Sequence, residues 1–219
     1  YGEFWALIKE QFPLAEHAVP IFSGAAEGLE DVPLPRVWFL SSDKHFLVQL
    51  QQDRFHLNWR RLSDEPSAYV RFPRVQRDCI QLWSTLAQFV EQRTGQVLQP
   101  VLAELTYTNL ITAPNADLAA EIAEASLVNV AWPRGGTSKM TPKGFSMTLG
   151  FDLHGGQDVL QVAAAAARSR ENNAELLKVD LTVKSKVPLA MSLQEWSTRA
   201  HVSLVRHFRD MTSPVMHKH

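Results

Sequence analysis

Strict two-residue alternation of apolar and polar side chains recurs at distant places in this chain, and it constrains the fold more than any other feature. Over residues 54–60, Phe55, Leu57 and Trp59 share one parity, and Arg54, His56, Asn58 and Arg60 share the other. Further on, Phe145, Met147, Leu149, Phe151 and Leu153 alternate with Ser146, Thr148, Asp152 and His154. Leu177, Val179, Leu181 and Val183 alternate in turn with Lys178, Asp180, Thr182 and Lys184. Successive side chains of a strand point to opposite faces, so each run reads as a strand with one face on a core and one face free.

The remaining segments fill in around these strands. Residues 37–40 and 46–51 are short apolar runs set off by turn residues at Ser42-Asp43 and Gln52-Asp53. Residues 99–111 place Ala103, Leu105 and Tyr107 against Glu104, Thr106 and Thr108, and 127–132 reads as a further strand. Residues 159–168 read as a strand, with helix as the alternative because alanine is so frequent there. Helices are expected at 4–12, ended by Pro13, and at 73–93, opened by Pro73 and closed by Gly95. A short helix is expected over 115–125, and a last one from the Ser192/Glu195 capping box to about Met211. Residues 14–35, rich in proline, glycine and acidic side chains, read as an irregular connection, and 134–144 as a loop.

This order predicts an α+β fold: an antiparallel sheet with long helices packed on one face. The two parts, 1–98 and 99–219, read as duplicated β-α-β4-α-like halves of one compact unit, joined in a single curved sheet. Each half has an alternating strand, a proline-containing loop and a long helix carrying a tryptophan, Trp83 or Trp196. The alternative is a helix-grip arrangement, in which the sheet curls around the last helix.

Composition narrows the functional classes. Basic and acidic residues number 22 and 23, which disfavours nucleic-acid binding driven by bulk charge. The single cysteine, Cys79, can form no internal disulfide and no cysteine-based zinc site, and it fits a reducing, cytoplasmic setting. It lies on the apolar side of its expected helix, where an inert thiol is the expectation. Among eight histidines, His201 and His207 are not at same-face helical spacing, and His217 and His219 lie at the very end. No metal or cofactor site is expected, no run is long enough for a membrane helix, and no serine-hydrolase elbow occurs. Residues 133–139 lack the glycine-lysine order of a phosphate loop.

Several segments together carry a family resemblance: 36–41 (RVWFLS), 47–51 (LVQLQ), 54–60 (RFHLNWR), 104–109 (ELTYTN) and 208–213 (FRDMTS). The set resembles a sporadically distributed family of uncharacterised bacterial proteins, somewhat longer than this chain and without a known activity. The resemblance spans nearly the whole sequence and implies no catalytic residues. Patchy occurrence of that kind suits accessory genes, including defence-associated ones. In order of elements, each half also resembles a TATA-binding-protein-like half-domain.

The densest polar constellation is Arg54, His56, Asn58 and Arg60 with Gln49 and Gln51 on the neighbouring strand. Arginine forks and side-chain amides suit an anion, a carboxylate or a peptide backbone on an open sheet face. The plain alternative is a solvated face, which any such strand needs. Glu104 is expected to join this face across the sheet. The function expected is non-enzymatic binding of a protein or peptide partner, through the polar face or the 14–35 connection. The alternative is an enzyme or ligand-binding protein with a pocket between a curled sheet and the C-terminal helix.

Overall fold

The computed structural model describes residues 1–19, 35–62, 69–112, 146–169, 173–187, 189 and 191–212. The chain divides into two compact units, Tyr1–Gln99 and Pro100–His219.

In the first unit, α1 (Gly2–Ile8) buries Phe4 and Ile8. Four strands follow: β1 (Leu14–Ala18), β2 (Arg36–Leu40), β3 (Phe46–Gln51) and β4 (Arg54–Trp59). They form an antiparallel sheet in simple chain order. The first of them is a correction, because Leu14–Ala18 was expected to be irregular and instead pairs with β2. It is an exposed edge strand, so hydrogen bonding to β2 holds it where no apolar alternation announces it. Helix α2 (Phe72–Thr94) has proline in its first turn and ends at Gly95, whose φ of 70° is a conformation that glycine adopts freely. Leu82 and Leu86 of α2 meet Phe4, Ile8, Val37, Phe39 and Val48 in one core. Trp5 stacks on Phe39, and Trp83 tilts against Phe55. The Cys79 thiol sits against β4. Burial pushes it up to about 11, only partly offset by a hydrogen bond from the Leu57 backbone, so it is a poor nucleophile at neutral pH.

The second unit comprises β5 (Leu102–Thr112), β6 (Ser146–Leu153), β7 (Asp158–Arg168), β8 (Glu175–Lys186) and α3 (Leu193–Met211). Its antiparallel sheet runs β5-β8-β7-β6. The alanine-rich segment is a strand, because Leu160, Val162 and Ala164 alternate into the core at 0%, 0% and 4% exposure. The Ser192/Glu195 capping box is present at the start of α3, and Trp196, Ala200 and Leu204 form its buried stripe. They pack on Leu177, Val179, Leu181 and Val183 of β8.

The described strands make two separate sheets, which corrects the expectation of one continuous curved sheet. Duplication is visible in the order: β2-β3-β4-α2 and β6-β7-β8-α3 are each an antiparallel three-strand run followed by a long helix. The expected short helix at 115–125, the strand at 127–132, the loop at 134–144, most of 14–35 and the terminal histidines lie outside the described residues.

Two polar contacts fasten α3 to its sheet. The Tyr107 hydroxyl on β5 and His201 Nδ1 on α3 share a hydrogen bond of 2.6 Å. Burial holds His201 below its ordinary value of 6.5, so the folded state favours the neutral ring. The stability this brings is present above the unfolded value and is lost as pH falls below it. Urea unfolding between pH 7.5 and pH 5.5 is therefore expected to show a decline that His201→Phe flattens; an equal decline in that variant would assign it elsewhere.

The second contact is built on Asp158, which has the core parity of Leu160 and Val162 and whose side chain is 0% exposed. Its Oδ1 accepts from Trp196 Nε1 at 3.1 Å. Its Oδ2 accepts from Arg199 at 2.9 Å and from His154 Nδ1 at 2.8 Å. Desolvation alone would raise this carboxyl. Hydrogen bonds from His154, Trp196 and Ser185, with the Arg199 charge, outweigh it and hold Asp158 below the usual carboxylate range. One buried carboxylate thus ties the β6–β7 turn, β8 and α3 together.

Candidate functional site

In the first unit, cross-strand register sorts the side chains into two faces. Val37, Phe39, Phe46, Val48, Leu50, Phe55 and Leu57 belong to the helix-covered core. The opposite face carries the expected polar residues in ordered rows. Glu16, Trp38, Gln49 and His56 form one row across all four strands, and Leu14, Leu40, Leu47 and Asn58 form the next. Gln51 pairs with Arg54 toward the β3–β4 turn.

This face is not uniformly open. Leu40 and Leu47 are 2% and 5% exposed, and Gln49 is 8% exposed. Alternation assigns parity to a face but says nothing of what lies over it. Gln49 accepts from Arg36 through its Oε1 at 3.4 Å. The Arg36 guanidinium also lies over the Trp38 ring, 5.2 Å from its centre.

The two arginines singled out from the sequence are committed to the turns that bound their strand. Arg54 makes two hydrogen bonds to Asp53, at 2.9 and 3.1 Å. Arg60 donates to the Lys44 carbonyl at 2.8 Å, while His45 Nδ1 donates to the Arg60 carbonyl at 2.8 Å. Lys44 adopts a φ of 58°, so this clamp holds a turn in a conformation that most side chains avoid.

Unmet hydrogen bonding is concentrated on this face. Among the described residues, Trp59 Nε1 and Arg199 Nε are buried elsewhere without a hydrogen-bond partner, and this face carries three more such atoms: Arg36 Nε, Trp38 Nε1 and Arg60 Nε. All three are donors. A buried polar group left unpaired costs about 1–3 kcal/mol, so such groups call for compensation. Arg36 and Trp38 were not among the expected site residues; they alternate with Val37 and Phe39 by the same parity rule as His56, but on a strand with only these two polar-parity side chains before Leu40.

Glu104 does not join this face across a sheet. It lies on β5 of the other sheet, opposite Lys184, and pairs with that side chain at 3.3 Å. Thr106 bonds Thr182 at 2.9 Å and Thr108 donates to Asp180 at 2.7 Å, so that polar strand pair is matched rung by rung.

No family model, curated protein or solved structure matches the chain. The site therefore rests on its own geometry. Among the described residues there is no cluster of three or more side chains suited to hold a metal ion. Beneath α3, a void of about 10 Å³ is lined by apolar side chains such as Val162, Leu181 and Phe208. No described helix is long and apolar enough to cross a membrane.

Proposed function

We propose that this chain is a non-enzymatic interaction protein that engages a protein or peptide partner through the polar face of its first sheet. The observation that carries this reading is the cluster of buried, unpaired donors at Arg36, Trp38 and Arg60 beside Gln49. A partner segment rich in acceptors, such as backbone carbonyls or carboxylates, supplies what these groups lack. Tryptophan and arginine are also the side chains on which interface energy concentrates.

The test is retention of the partner by immobilised chain. Loss of one Trp or Arg anchor of this kind costs about 2 kcal/mol, roughly thirtyfold in affinity. Arg36→Glu with Trp38→Ser is expected to reduce retention by at least that factor. Arg54→Glu with Arg60→Glu should weaken it less, because Arg54 is already satisfied by Asp53. Undiminished retention by both variants, with native circular dichroism, would reject this face.

A further inference from the structure

The β6–β7 turn and one face of α3 line an open groove of about 1080 Å³ in the second unit. Its walls include Asp152, His154, Glu195, Arg199, Arg206 and His207. The groove is lined by second-unit residues alone, and its chemistry differs from that of the donor face on the first sheet.

His154 is the fixed point. It adopts a φ of 53°, ahead of Gly155 and Gly156, which have positive φ as well. A non-glycine residue in this conformation is uncommon and often marks a functional position. An ionised carboxylate accepts and does not donate, so the 2.8 Å contact with Asp158 places a proton on His154 Nδ1. In the neutral ring Nε2 is then an acceptor. His154 is 32% exposed, whereas Asp158 behind it is 0% exposed, so a rigid, buried group sets the tautomer of a ring at the groove wall.

The charges nearby differ in how far they are already used. Arg199 is bound to Asp158. Glu195 accepts from the Ser192 backbone and hydroxyl in the capping box. Arg206 has no acidic partner among the described residues. It lies seven residues beyond Arg199 on the same helix face, about 10 Å along the axis. Asp152 is exposed on the turn side. One end of the groove therefore accepts hydrogen bonds, at His154 Nε2 and Asp152, and the other offers an uncommitted guanidinium.

We propose that this groove binds a small hydroxylated oxyanion, a hydroxycarboxylate or a sugar phosphate. Its hydroxyl donates to His154 Nε2 and its anionic group pairs with Arg206. Neither half suffices alone. The hydroxyl distinguishes the ligand from a bare anion, and the oxyanion distinguishes it from a neutral sugar.

The experiment follows the His154 ring resonances of the intact chain by NMR while lactate, glucose 6-phosphate, glucose and inorganic phosphate are added separately at constant ionic strength. Lactate or glucose 6-phosphate is expected to give a saturable shift, and whichever does so identifies the source of the oxyanion. Glucose and inorganic phosphate are expected to bind at least tenfold more weakly. Arg206→Gln, an exposed substitution that leaves the Asp158 contacts in place, should weaken binding about tenfold. His154→Gln, followed by calorimetry, should do the same. The proposal is overturned if neither hydroxylated anion saturates, if inorganic phosphate binds as well as they do, or if Arg206→Gln binds like the parent chain.

Discussion

Asp158→Ala is expected to lower the unfolding free energy of the second unit by about 3–5 kcal/mol, the cost of breaking a buried ion pair from one side. Removing the carboxylate leaves Trp196 Nε1, Arg199 and His154 Nδ1 facing a space without an acceptor. Arg199 is 26% exposed and regains some water, which places the loss toward the lower end of that range. Asp158→Asn retains an acceptor for the indole and should cost less. Urea denaturation followed by tryptophan fluorescence measures both. A loss of under about 1 kcal/mol for the alanine variant would show that the network merely fills space.

The same carboxylate sets an acid limit. Its folded-state value lies below the ordinary 3.8, so its contribution is fully present above that unfolded value and disappears as pH falls through the lower folded one. This window lies below the one set by His201, whose contribution is lost on falling past 6.5. Asp158→Asn should remove the lower limb and leave the upper one, so a single pH series separates the two residues.

Much of the fold was legible because parity is a local property. The faces of β4, β5 and β8, the stripe of α3 and its capping box each follow from residues within one segment. What was not legible depended on partners distant in sequence. Leu14–Ala18 is a strand because β2 lies beside it, and its own side chains are mostly exposed. Asp158 lies just before the strand expected over 159–168, yet it sits at a core position where Trp196 and Arg199, some forty residues later, bring their donors to it. Of the candidate site, the sequence exposed the β4 row through its length. Arg54 was then spoken for by its own turn and Arg60 only in part, and two of the three unmet donors of the face lay at Arg36 and Trp38 on the shorter strand.

Leu181→Ala tests that parity argument where its energetic consequence is largest. Leu181 is 1% exposed at the middle of β8, opposite Tyr107 on one side and Val162 on the other. Ala200 and Leu204 of α3 belong to the same core. Truncation removes apolar contact and opens a cavity that a sheet paired on both sides closes poorly, so a loss of about 3–5 kcal/mol is expected. Leu110→Ala changes the same atoms on β5 in the same sheet, but Leu110 is 63% exposed and has the parity of Thr106 and Thr108. Its cost should stay within about 0.5 kcal/mol. Chemical denaturation of the two variants side by side decides the matter. If they lose similar stability, burial on one face of β8 is not what holds the second unit together, and the packing of α3 on that strand would need another explanation.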